Sequence, residues 1–397
     1  IGKYAPNKEN TSGVHGSPLG ENEFELFLQN IGFSGDPFIH DSEIYSYFDE
    51  KRADDNSKFD EWNANLESKL QSDKNFRQLW NQFNNFETSE VELEWSSDEA
   101  SRVIGGKILN EYGLSNKFII GGSADLAAST KQIISDNTFG SNNFGGNSIE
   151  FGIREHAMGG IVNGLALHSN LIPYGSTFLV FSDYMRPSMR LASLMNINSL
   201  FIFTHDSIYL GEDGPTHQPI EHLMSLRLIP NLDVIRPSNS MELIHSYRYA
   251  LEKKDNPKAI ILSRQNMKFF DNDVSYKDFQ TGAYEFMPGS DITLIATGSE
   301  LELAFEISTK LKDLSVQIIS APILNRLNEE RLESLSLNQN IFTIELGRTI
   351  GWDTYIQNIK KSFSIDSFGE SAPIDQLAEK FNFNAEKISD EIRSLLN

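Results

Sequence analysis

Short apolar runs that end in polar loops recur along most of this chain. The first four runs occupy residues 118–122, 199–207, 232–237 and 258–265. Helical stretches, such as 154–168 and 241–253, separate several of them. Strands that alternate with helices are typical of βαβ units and a parallel sheet, because the crossover helices cover both sheet faces. The pattern therefore predicts an α/β fold.

The same pattern restarts in the last part of the chain. Residues 266 to about 285 carry charge and Gly282, and are typical of a linker. Four more runs follow, at 291–298, 316–323, 340–347 and 363–369. Upstream, residues 57–85 have apolar side chains at mostly helical spacing, and their charges are expected to face solvent. We expect two three-layer α/β/α domains with mostly parallel sheets, preceded by a helical and irregular segment. The predicted boundaries are 1–92, 93–270 and 281–397.

Charge balance and the absence of cysteine exclude several classes of function. The 56 acidic and 34 basic residues give a net charge of −22, which disfavours nucleic acid or an anionic membrane as partner. Anionic substrates would need a few placed cations. The sequence has no Cys, so a disulfide scaffold, a thiolate zinc site and a Cys nucleophile are excluded, and a reducing compartment is expected. No apolar run reaches the ~18 residues of a membrane helix.

The polar residues that follow the predicted strands are the first candidates for a site, because ligands of parallel sheets bind at the carboxyl ends of strands. These residues are Asp125, His205, Asp206 and Arg264. The richest stretch, THDSIYLGEDGPTHQP at 204–219, also holds Glu212, Asp213 and His217. Three interpretations stay open. They are a metal site, although the spacing matches no HExxH-type pattern, an acid–base and hydrogen-bonding site for a hydroxylated ligand, and polar loop residues that cap the next helix.

The stretch FGIREHAMGGIVNGLAL, at 151–167, begins a helix with one candidate carboxylate. Glu155 is either favoured there by the helix dipole or serves as a buried proton partner. Three small residues on the same helix would let another helix approach closely, namely Gly159, Gly160 and Gly164.

Two more stretches allow both a structural and a functional interpretation. In STFLVFSDYMRP, at 176–187, aromatic side chains recur every three residues, as core or as a wall for a flat heterocycle. They are Phe178, Phe181 and Tyr184. GGSADLAAST, at 121–130, is a glycine-rich loop with Asp125 and Ser129, but it is not a Walker or dinucleotide pattern.

Taken together and in this order, the motifs of the chain resemble those of the transketolase family. They are GVHGSPLG, GGSADL, GIREHAMG, PYGSTFLVFSDY, THDSI, GEDGPTHQP, LSRQN and DSFGESAP. The resemblance runs from about Gly13 to the C-terminus and is loose over 21–92. It implies a thiamine-diphosphate enzyme of the pentose phosphate pathway. Such an enzyme reversibly transfers a two-carbon ketol unit from a ketose phosphate of the xylulose type to an aldose phosphate of the ribose type. Dihydroxyacetone synthase is a related activity. The family's C-terminal sheet can carry an antiparallel edge strand.

The resemblance implies which residues serve the cofactor. The family's chemistry rests on a carbanion at the thiazolium carbon, formed with the help of a Glu that hydrogen-bonds the aminopyrimidine. Glu155 matches that catalytic position. His15 matches an active-site histidine beside the cofactor, and Asp125 a carboxylate near it. The residues that match those enclosing the pyrimidine are Phe178, Phe181 and Tyr184.

The resemblance also implies a substrate site. His217 matches a catalytic histidine that contacts the reacting oxygens, and Asp213 matches a residue that recognises a sugar hydroxyl. The phosphate-binding set corresponds to Arg102, Ser129, His205 and Arg264. Arginine suits phosphate because its planar fork can donate two parallel hydrogen bonds. These placed cations would let a chain of net charge −22 bind anionic sugars.

One departure from the family pattern is large. The family's first domain supplies the diphosphate-binding and metal-binding residues, including a Gly-Asp-Gly…Asn motif, which this sequence lacks. No metal ligand is therefore assigned here, and the Mg²⁺ or Ca²⁺ of the family is expected upstream of Ile1, where we expect natural sequence to continue. The resemblance implies a cytoplasmic homodimer with active sites at the subunit interface. Two alternatives stay open, an inert truncated or proteolytic fragment and a split subunit that joins a diphosphate-binding chain.

Overall fold

A computed structural model describes residues 1–36, 38–85, 91, 98–134, 137–252, 255–268, 270 and 274–396. The chain divides into two compact units, Ile1–Trp80 and Asn81–Asn397. Within the described residues, no helix combines the length and the apolar character that crossing a membrane requires.

The first unit is irregular over its first twenty residues and helical beyond them. Its helices are α1 (Glu21–Asn30), α2 (Ser42–Ser72) and the start of α3 (Lys74–Asn84). The Glu23 carboxylate fastens the irregular loop to α1, because it accepts hydrogen bonds from the backbone and side-chain nitrogens of Asn7 at 2.7 and 3.0 Å. None of the residues of α2 is buried. The helix predicted over 57–85 is confirmed, with a break where the Asp73 carboxylate caps α3 by accepting from the Phe76 N–H.

The first part of the second unit alternates strands with helices. Its elements are β1 (Glu99–Ala100), α4 (Ser101–Ser115), β2 (Ile119–Ser123), α5 (Ala127–Thr130), α6 (Glu155–His168), β3 (Ile172–Phe178), α7 (Ser182–Leu194), β4 (Leu200–Thr204), α8 (His222–Arg227), β5 (Asp233–Ile235), α9 (Ser240–Glu252), β6 (Lys258–Leu262) and β7 (Asn266–Met267). Five strands form one sheet in the order β2-β3-β4-β6-β5, and all neighbouring pairs are parallel.

This sheet is covered on both faces, as β4 illustrates. Phe201 and Phe203 join a buried cluster with residues of α6 and α7. Leu200 and Ile202, which alternate with them, join a second cluster with residues of α4 and α9. Side chains alternate between the faces of a strand, so a fully apolar strand has to be covered twice.

The rest of the second unit builds a smaller sheet. Its elements are α10 (Tyr276–Gln280), β8 (Tyr284–Met287), β9 (Ile292–Ala296), α11 (Glu300–Lys310), β10 (Val316–Ser320), α12 (Glu329–Leu335), β11 (Ile341–Ile344), β12 (Ile359–Phe363), α13 (Ile374–Lys380) and α14 (Ala385–Leu396). The strand order is β12-β11-β9-β10-β8, with β8 as the antiparallel edge strand. The predicted fold class is confirmed.

Some predictions of local structure are wrong. The last strand is Ile359–Phe363, so it ends where the predicted run 363–369 begins. The predicted linker contains β7, α10 and the first two residues of β8. Strand β3 was not predicted at all.

Candidate active site

Neighbouring parallel strands end side by side and bring the predicted polar residues to one edge of the larger sheet. Phe178 at the end of β3 pairs with Thr204 of β4, and Thr204 pairs with Leu262 of β6. His205 therefore emerges beside Phe178, and Arg264 follows two residues beyond β6. Asp125 follows β2, which pairs with β3 on the other side. The polar residues that follow these strands thus lie along one edge of the sheet, where we predict a site.

Two of these residues hold a strained backbone. His205 has φ 61° and Asp125 has φ 62°, in the left-handed region that non-glycine residues rarely adopt. Each such residue costs roughly 1–3 kcal/mol and persists where the surrounding structure enforces it. Strain at the ends of two strands of one sheet is typical of positions that direct a side chain toward a ligand.

Aromatic rings form a continuous surface from the sheet edge to solvent. The His205 imidazole stacks on Phe178 with ring centroids 3.7 Å apart, and Phe178 stacks on Phe181 at 5.7 Å. Tyr184 follows, with its ring 6.1 Å from Phe181, and His217 meets the edge of Phe181 at 5.6 Å. Phe178 is buried, whereas Tyr184 is 65% exposed. A purely structural core role therefore does not account for this row of rings.

Positive charge gathers beside the rings. Burial first, and then the neighbouring Arg102, Arg264 and His217, together lower the pKa of His205 to about 3. The Arg102 guanidinium donates a short hydrogen bond to the Ser129 carbonyl. Arg102 and Arg264 line the same cavity, of about 750 Å³. In the described part of the chain neither guanidinium is paired with a carboxylate, so both are available to an anion.

Glu155 is the first residue of α6, and its side chain is buried. The free N–H groups of a helix N-terminus favour a carboxylate there. Helices α6 and α7 approach closely at Gly159. A Cβ added to Gly159 would lie only 2.8 Å from the Ser188 Cβ, so a larger residue does not fit there. This close approach confirms the predicted role of Gly159, whereas Gly160 and Gly164 have no neighbour within 4 Å in the described structure.

The remaining predicted residues are Asp125, Asp213 and His15. Asp125 lines a separate cavity of about 510 Å³ together with Arg154. Asp213 is exposed in the loop that precedes His217. His15 is exposed in the first unit.

Sequence reasoning missed the residues that hold the His217 loop. The Gln218 amide donates to the carbonyls of Ile208, Gly211 and Glu370. Ser371 adds a hydrogen bond to the Glu212 carbonyl. The motif DSFGESAP, which follows the last strand of the smaller sheet, therefore holds the GEDGPTHQP loop through hydrogen bonds.

A buried ion network behind His205 was also missed. Asp206 accepts two hydrogen bonds from Arg236, at 3.1 and 2.8 Å, and Arg236 donates at 3.0 Å to Glu300 at the start of α11. Nearby, Arg227 and Glu345 form a bidentate pair at 2.8 and 2.7 Å. These ion pairs connect the part of the unit that carries the larger sheet with the part that carries the smaller sheet. One of them involves Asp206, the residue next to His205.

The structure bears differently on the three interpretations of the 204–219 stretch. Among the described residues, no three of its His and carboxylate side chains come within ligating distance of one another, so the structure lends no support to a metal site there. The capping interpretation holds for one residue, because the Ser207 hydroxyl accepts a hydrogen bond from the Tyr209 N–H at 3.3 Å and so caps the short 3-10 helix Ile208–Leu210. At the next α-helix, α8, the N-cap residue Glu221 makes no side-chain capping bond. The acid–base and hydrogen-bonding interpretation remains.

Comparisons with known families account for most of the chain. Residues 100–269 match the family described as "Transketolase, pyrimidine binding domain", and residues 282–384 match the "Transketolase-like TK C-terminal domain". Residues 1–86 match the "Transketolase, thiamine diphosphate binding domain". The chain belongs to the transketolase family.

Relatives of the family align along the whole chain. A transketolase of Staphylococcus aureus (strain MRSA252) is 39% identical over 423 residues, which cover 100% of this chain and 63% of the relative. A transketolase of Bacillus subtilis (strain 168) is 35% identical over 422 residues, with the same coverage of 100% and 63%. The chain thus spans somewhat less than two thirds of the length of these relatives.

Solved transketolase structures have the same fold. The enzyme from Leishmania mexicana superposes with a TM-score of 0.90 at 30% identity, covering 99% of this chain and 60% of the other. The enzyme from Campylobacter jejuni gives a TM-score of 0.85 at 33% identity, covering 99% and 62%.

Proposed function

We propose that this chain supplies the pyrimidine-binding half of a transketolase site and serves the transfer of a two-carbon ketol unit between phosphorylated sugars. The observation that carries the proposal is the row of rings beside two guanidinium groups that have no carboxylate partner among the described residues. A flat heterocycle and a phosphate group are the ligands that such a surface suits. The proposed domain boundaries are 1–92, 93–270 and 281–397.

The residues present fit the pyrimidine end of thiamine diphosphate. Phe178 and Phe181 have nearly parallel rings, with an interplanar angle of 11°, and Tyr184 extends them toward solvent. A buried carboxylate, Glu155, stands at the N-terminus of α6, which packs on β3. When bound, thiamine diphosphate supplies the carbon nucleophile of ketol transfer. We further propose that Mg²⁺ or Ca²⁺ accompanies the cofactor, and we assign none of the described residues to that ion.

Each protein group then has a definite task. Glu155 accepts and returns a proton at its carboxylate oxygen, and the aromatic rings orient the heterocycle and exclude water. His217 is half-buried, with its Nδ1 atom 2.9 Å from the Thr216 hydroxyl, so its other nitrogen can exchange a proton with a sugar oxygen. Asp213 accepts a hydrogen bond from a sugar hydroxyl. The family resemblance assigns His15 and Asp125 to positions near the cofactor.

The phosphate of the sugar binds between Arg102 and Arg264, with Ser129 and His205 beside them. Low local dielectric strengthens charge-assisted hydrogen bonds from guanidinium to phosphate. The neutral imidazole of His205 can donate one hydrogen bond without adding a third charge. This arrangement favours phosphorylated over unphosphorylated sugars.

We also propose that the chain acts as a homodimer in the cytoplasm. Large apolar side chains stand exposed on and beside α6 and α7, which indicates a surface that a partner covers. They include Ile153, Ile161, Leu167, Leu191 and Leu194. Phosphorylated sugars and a cysteine-free chain fit a reducing compartment. The alternatives are an inert piece and a split subunit.

Substitution of Glu155 tests the proposal. The chain is assayed for ketol transfer with thiamine diphosphate and Mg²⁺, alone and mixed with a separately produced thiamine-diphosphate-binding domain of a transketolase. We expect Glu155→Gln to lose at least ~100-fold in kcat, the lower range for an acid–base group. The control Glu111→Gln lies exposed on α4 and should retain full activity.

Three outcomes separate the alternatives. Activity only on mixing supports the split-subunit form. No activity in either preparation, with a folded chain, supports the inert piece and contradicts the proposal. Normal activity of Glu155→Gln removes Glu155 from the cofactor site.

A further inference from the structure

A compact group of metal-ligating side chains lies between the first turns of α7 and α8. Asp183, Glu221 and His222 place ligand atoms within 4.8 Å of one another, and they are the one such group among the described residues. The His222 Nε2 atom is 3.3 Å from an Asp183 oxygen, and its Nδ1 atom is 3.9 Å from a Glu221 oxygen. None of these three residues is part of the candidate active site described above.

The state of His222 is unusual for a buried side chain. It is only 4% exposed, yet both of its ring nitrogens lack a hydrogen-bond partner among the described residues. Burying a polar group without such a partner costs free energy, and each exception needs an explanation. A ligand that accepts electron density from an imidazole nitrogen would remove that cost at one of the two nitrogens.

The distances fit a tetrahedral ion. Two ligand atoms at the zinc bond lengths of about 2.0–2.1 Å are separated by about 3.3 Å when the ion is tetrahedral. The His222 Nε2 to Asp183 Oδ2 separation of 3.3 Å equals that edge. The Glu221 side chain is 56% exposed and can therefore rotate to bring its oxygen into the third position. A water molecule can occupy the fourth.

The helices that carry the ligands are held in place without an ion. One turn after Asp183, the Arg186 guanidinium donates to the Ser225 hydroxyl at 2.9 Å and to the Ser225 carbonyl at 2.6 Å. Ser225 lies three residues after His222 on α8. The spacing of α7 and α8 is therefore set in advance, and a site on rigid elements loses less entropy on binding a metal.

We propose that Asp183, Glu221 and His222 form a binding site for a divalent transition-metal ion, with zinc preferred. One imidazole and two carboxylates suit Zn²⁺, whereas Mg²⁺ and Ca²⁺ prefer oxygen ligands alone. The two neighbouring carboxylates repel each other, and a cation relieves that repulsion. The site is separate from any metal that accompanies thiamine diphosphate, and it does not depend on the proposed ketol transfer.

The position of the site gives it a consequence for the aromatic row. Asp183 immediately precedes Tyr184, and Glu221 lies four residues after His217. A bound ion would link the start of α7 to the start of α8, and so restrain the segments that carry Tyr184 and His217. The site would therefore stabilise the folded chain and stiffen one side of the candidate active site.

The test measures zinc binding directly and requires no turnover. The chain is purified without a polyhistidine tag, stripped of metal, and dialysed against Zn²⁺ alone without thiamine diphosphate. We expect one equivalent to bind, to raise the thermal unfolding midpoint, and to bind at least tenfold more tightly than Mg²⁺. Asp183→Asn and His222→Gln should each weaken zinc binding at least tenfold. The control His168→Gln removes an exposed histidine at the end of α6 and should leave binding unchanged.

The substituted Asp183 side chain is 59% exposed, so Asp183→Asn should fold even if the buried His222→Gln does not. Circular dichroism checks both. Zinc binding that is undiminished in folded Asp183→Asn, or equal affinity for Mg²⁺ and Zn²⁺, would overturn the assignment. So would the absence of zinc binding by the unsubstituted chain. None of these outcomes bears on Glu155, so this test and that of the proposed function fail independently.

Discussion

The imidazole of His205 stacks on the phenyl ring of Phe178, with ring centroids 3.7 Å apart. Burial is the main reason why the pKa of His205 falls to about 3, and the neighbouring Arg102, Arg264 and His217 add to the effect. A phosphate held between the two arginines would offset their charge. We expect ribose 5-phosphate to raise the pKa of His205, as measured by NMR titration of its ring protons. An unchanged titration at saturating sugar phosphate would place the anion elsewhere.

The low pKa of His205 also makes a prediction about acid stability. The unfolded chain takes up this proton near the ordinary value of 6.5, whereas the folded chain resists it until about pH 3. Between those values the unfolded state binds more protons, so the free energy of unfolding falls as the pH is lowered, with a slope of at most about 1.4 kcal/mol per pH unit from this group. His205→Asn should flatten the dependence. Asparagine tolerates the left-handed backbone at this position, so the substitution mainly removes the titrating ring.

That comparison is made by urea unfolding at several pH values between 4 and 8. A variant with the same pH slope as the unsubstituted chain would contradict a depressed pKa at His205.

Arg264 is exposed at the end of β6, where its guanidinium faces the same cavity as Arg102. A charge-assisted hydrogen bond contributes about 1.5–3 kcal/mol, so Arg264→Ala should raise the KM for phosphorylated sugars roughly 10-fold to 100-fold. The KM for an unphosphorylated acceptor should change little. Steady-state kinetics with matched sugars measure both constants, and exposed Lys312→Ala serves as a control for general loss of charge. An equal effect on the two sugar types would remove Arg264 from the phosphate site.

Arg236 holds Asp206 and Glu300 in the interior, and all three side chains are almost completely buried. Removal of the cation leaves two buried carboxylates unpaired, so Arg236→Met should lower the free energy of unfolding by about 3–5 kcal/mol. Adding Asp206→Asn and Glu300→Gln to that variant should restore much of the loss, because the stranded charges are then gone. Arg393→Met, in an exposed ion pair with Asp313, is the matched control and should cause no resolvable change. Urea unfolding of the four proteins tests the prediction, and a loss that the added substitutions do not reduce would assign it to packing instead.

A strand can be predicted from the sequence when its own residues carry the signal, and is missed when its contacts with distant segments determine it. Runs such as Leu200–Thr204 are buried on both faces, so apolar continuity alone identifies them. Strand β3 was not predicted because Pro173 and Gly175 disfavour strands locally. In the fold, pairing with β2 and β4 overrides that local preference. Edge strand β12 was not predicted because its residues Lys360 and Lys361 face solvent, so the strand has no continuous apolar run.

The site was predictable to the extent that strand ends determine it. His205 and Arg264 follow strands directly, so a parallel sheet brings them to one edge. Gln218 and Glu370 are 152 residues apart, and Arg236 and Glu300 are 64 apart, so no local pattern could indicate those bonds.

Adjacent glycines on α6 should respond in opposite ways to the same substitution. A Cβ on Gly159 would lie 2.8 Å from the Ser188 Cβ, so Gly159→Ala should force α6 and α7 apart and lower the free energy of unfolding by about 1–3 kcal/mol. Gly160 has no neighbour within 4 Å in the described structure, so Gly160→Ala should raise the free energy of unfolding by about 0.8–1 kcal/mol through helix propensity. Urea unfolding at low protein concentration measures both. Stabilisation by Gly159→Ala would contradict the close approach of the two helices.

If a second copy covers the exposed face of α6, Gly160→Ala should also weaken self-association in sedimentation measurements. The dilute chain should still keep its gain in the free energy of unfolding.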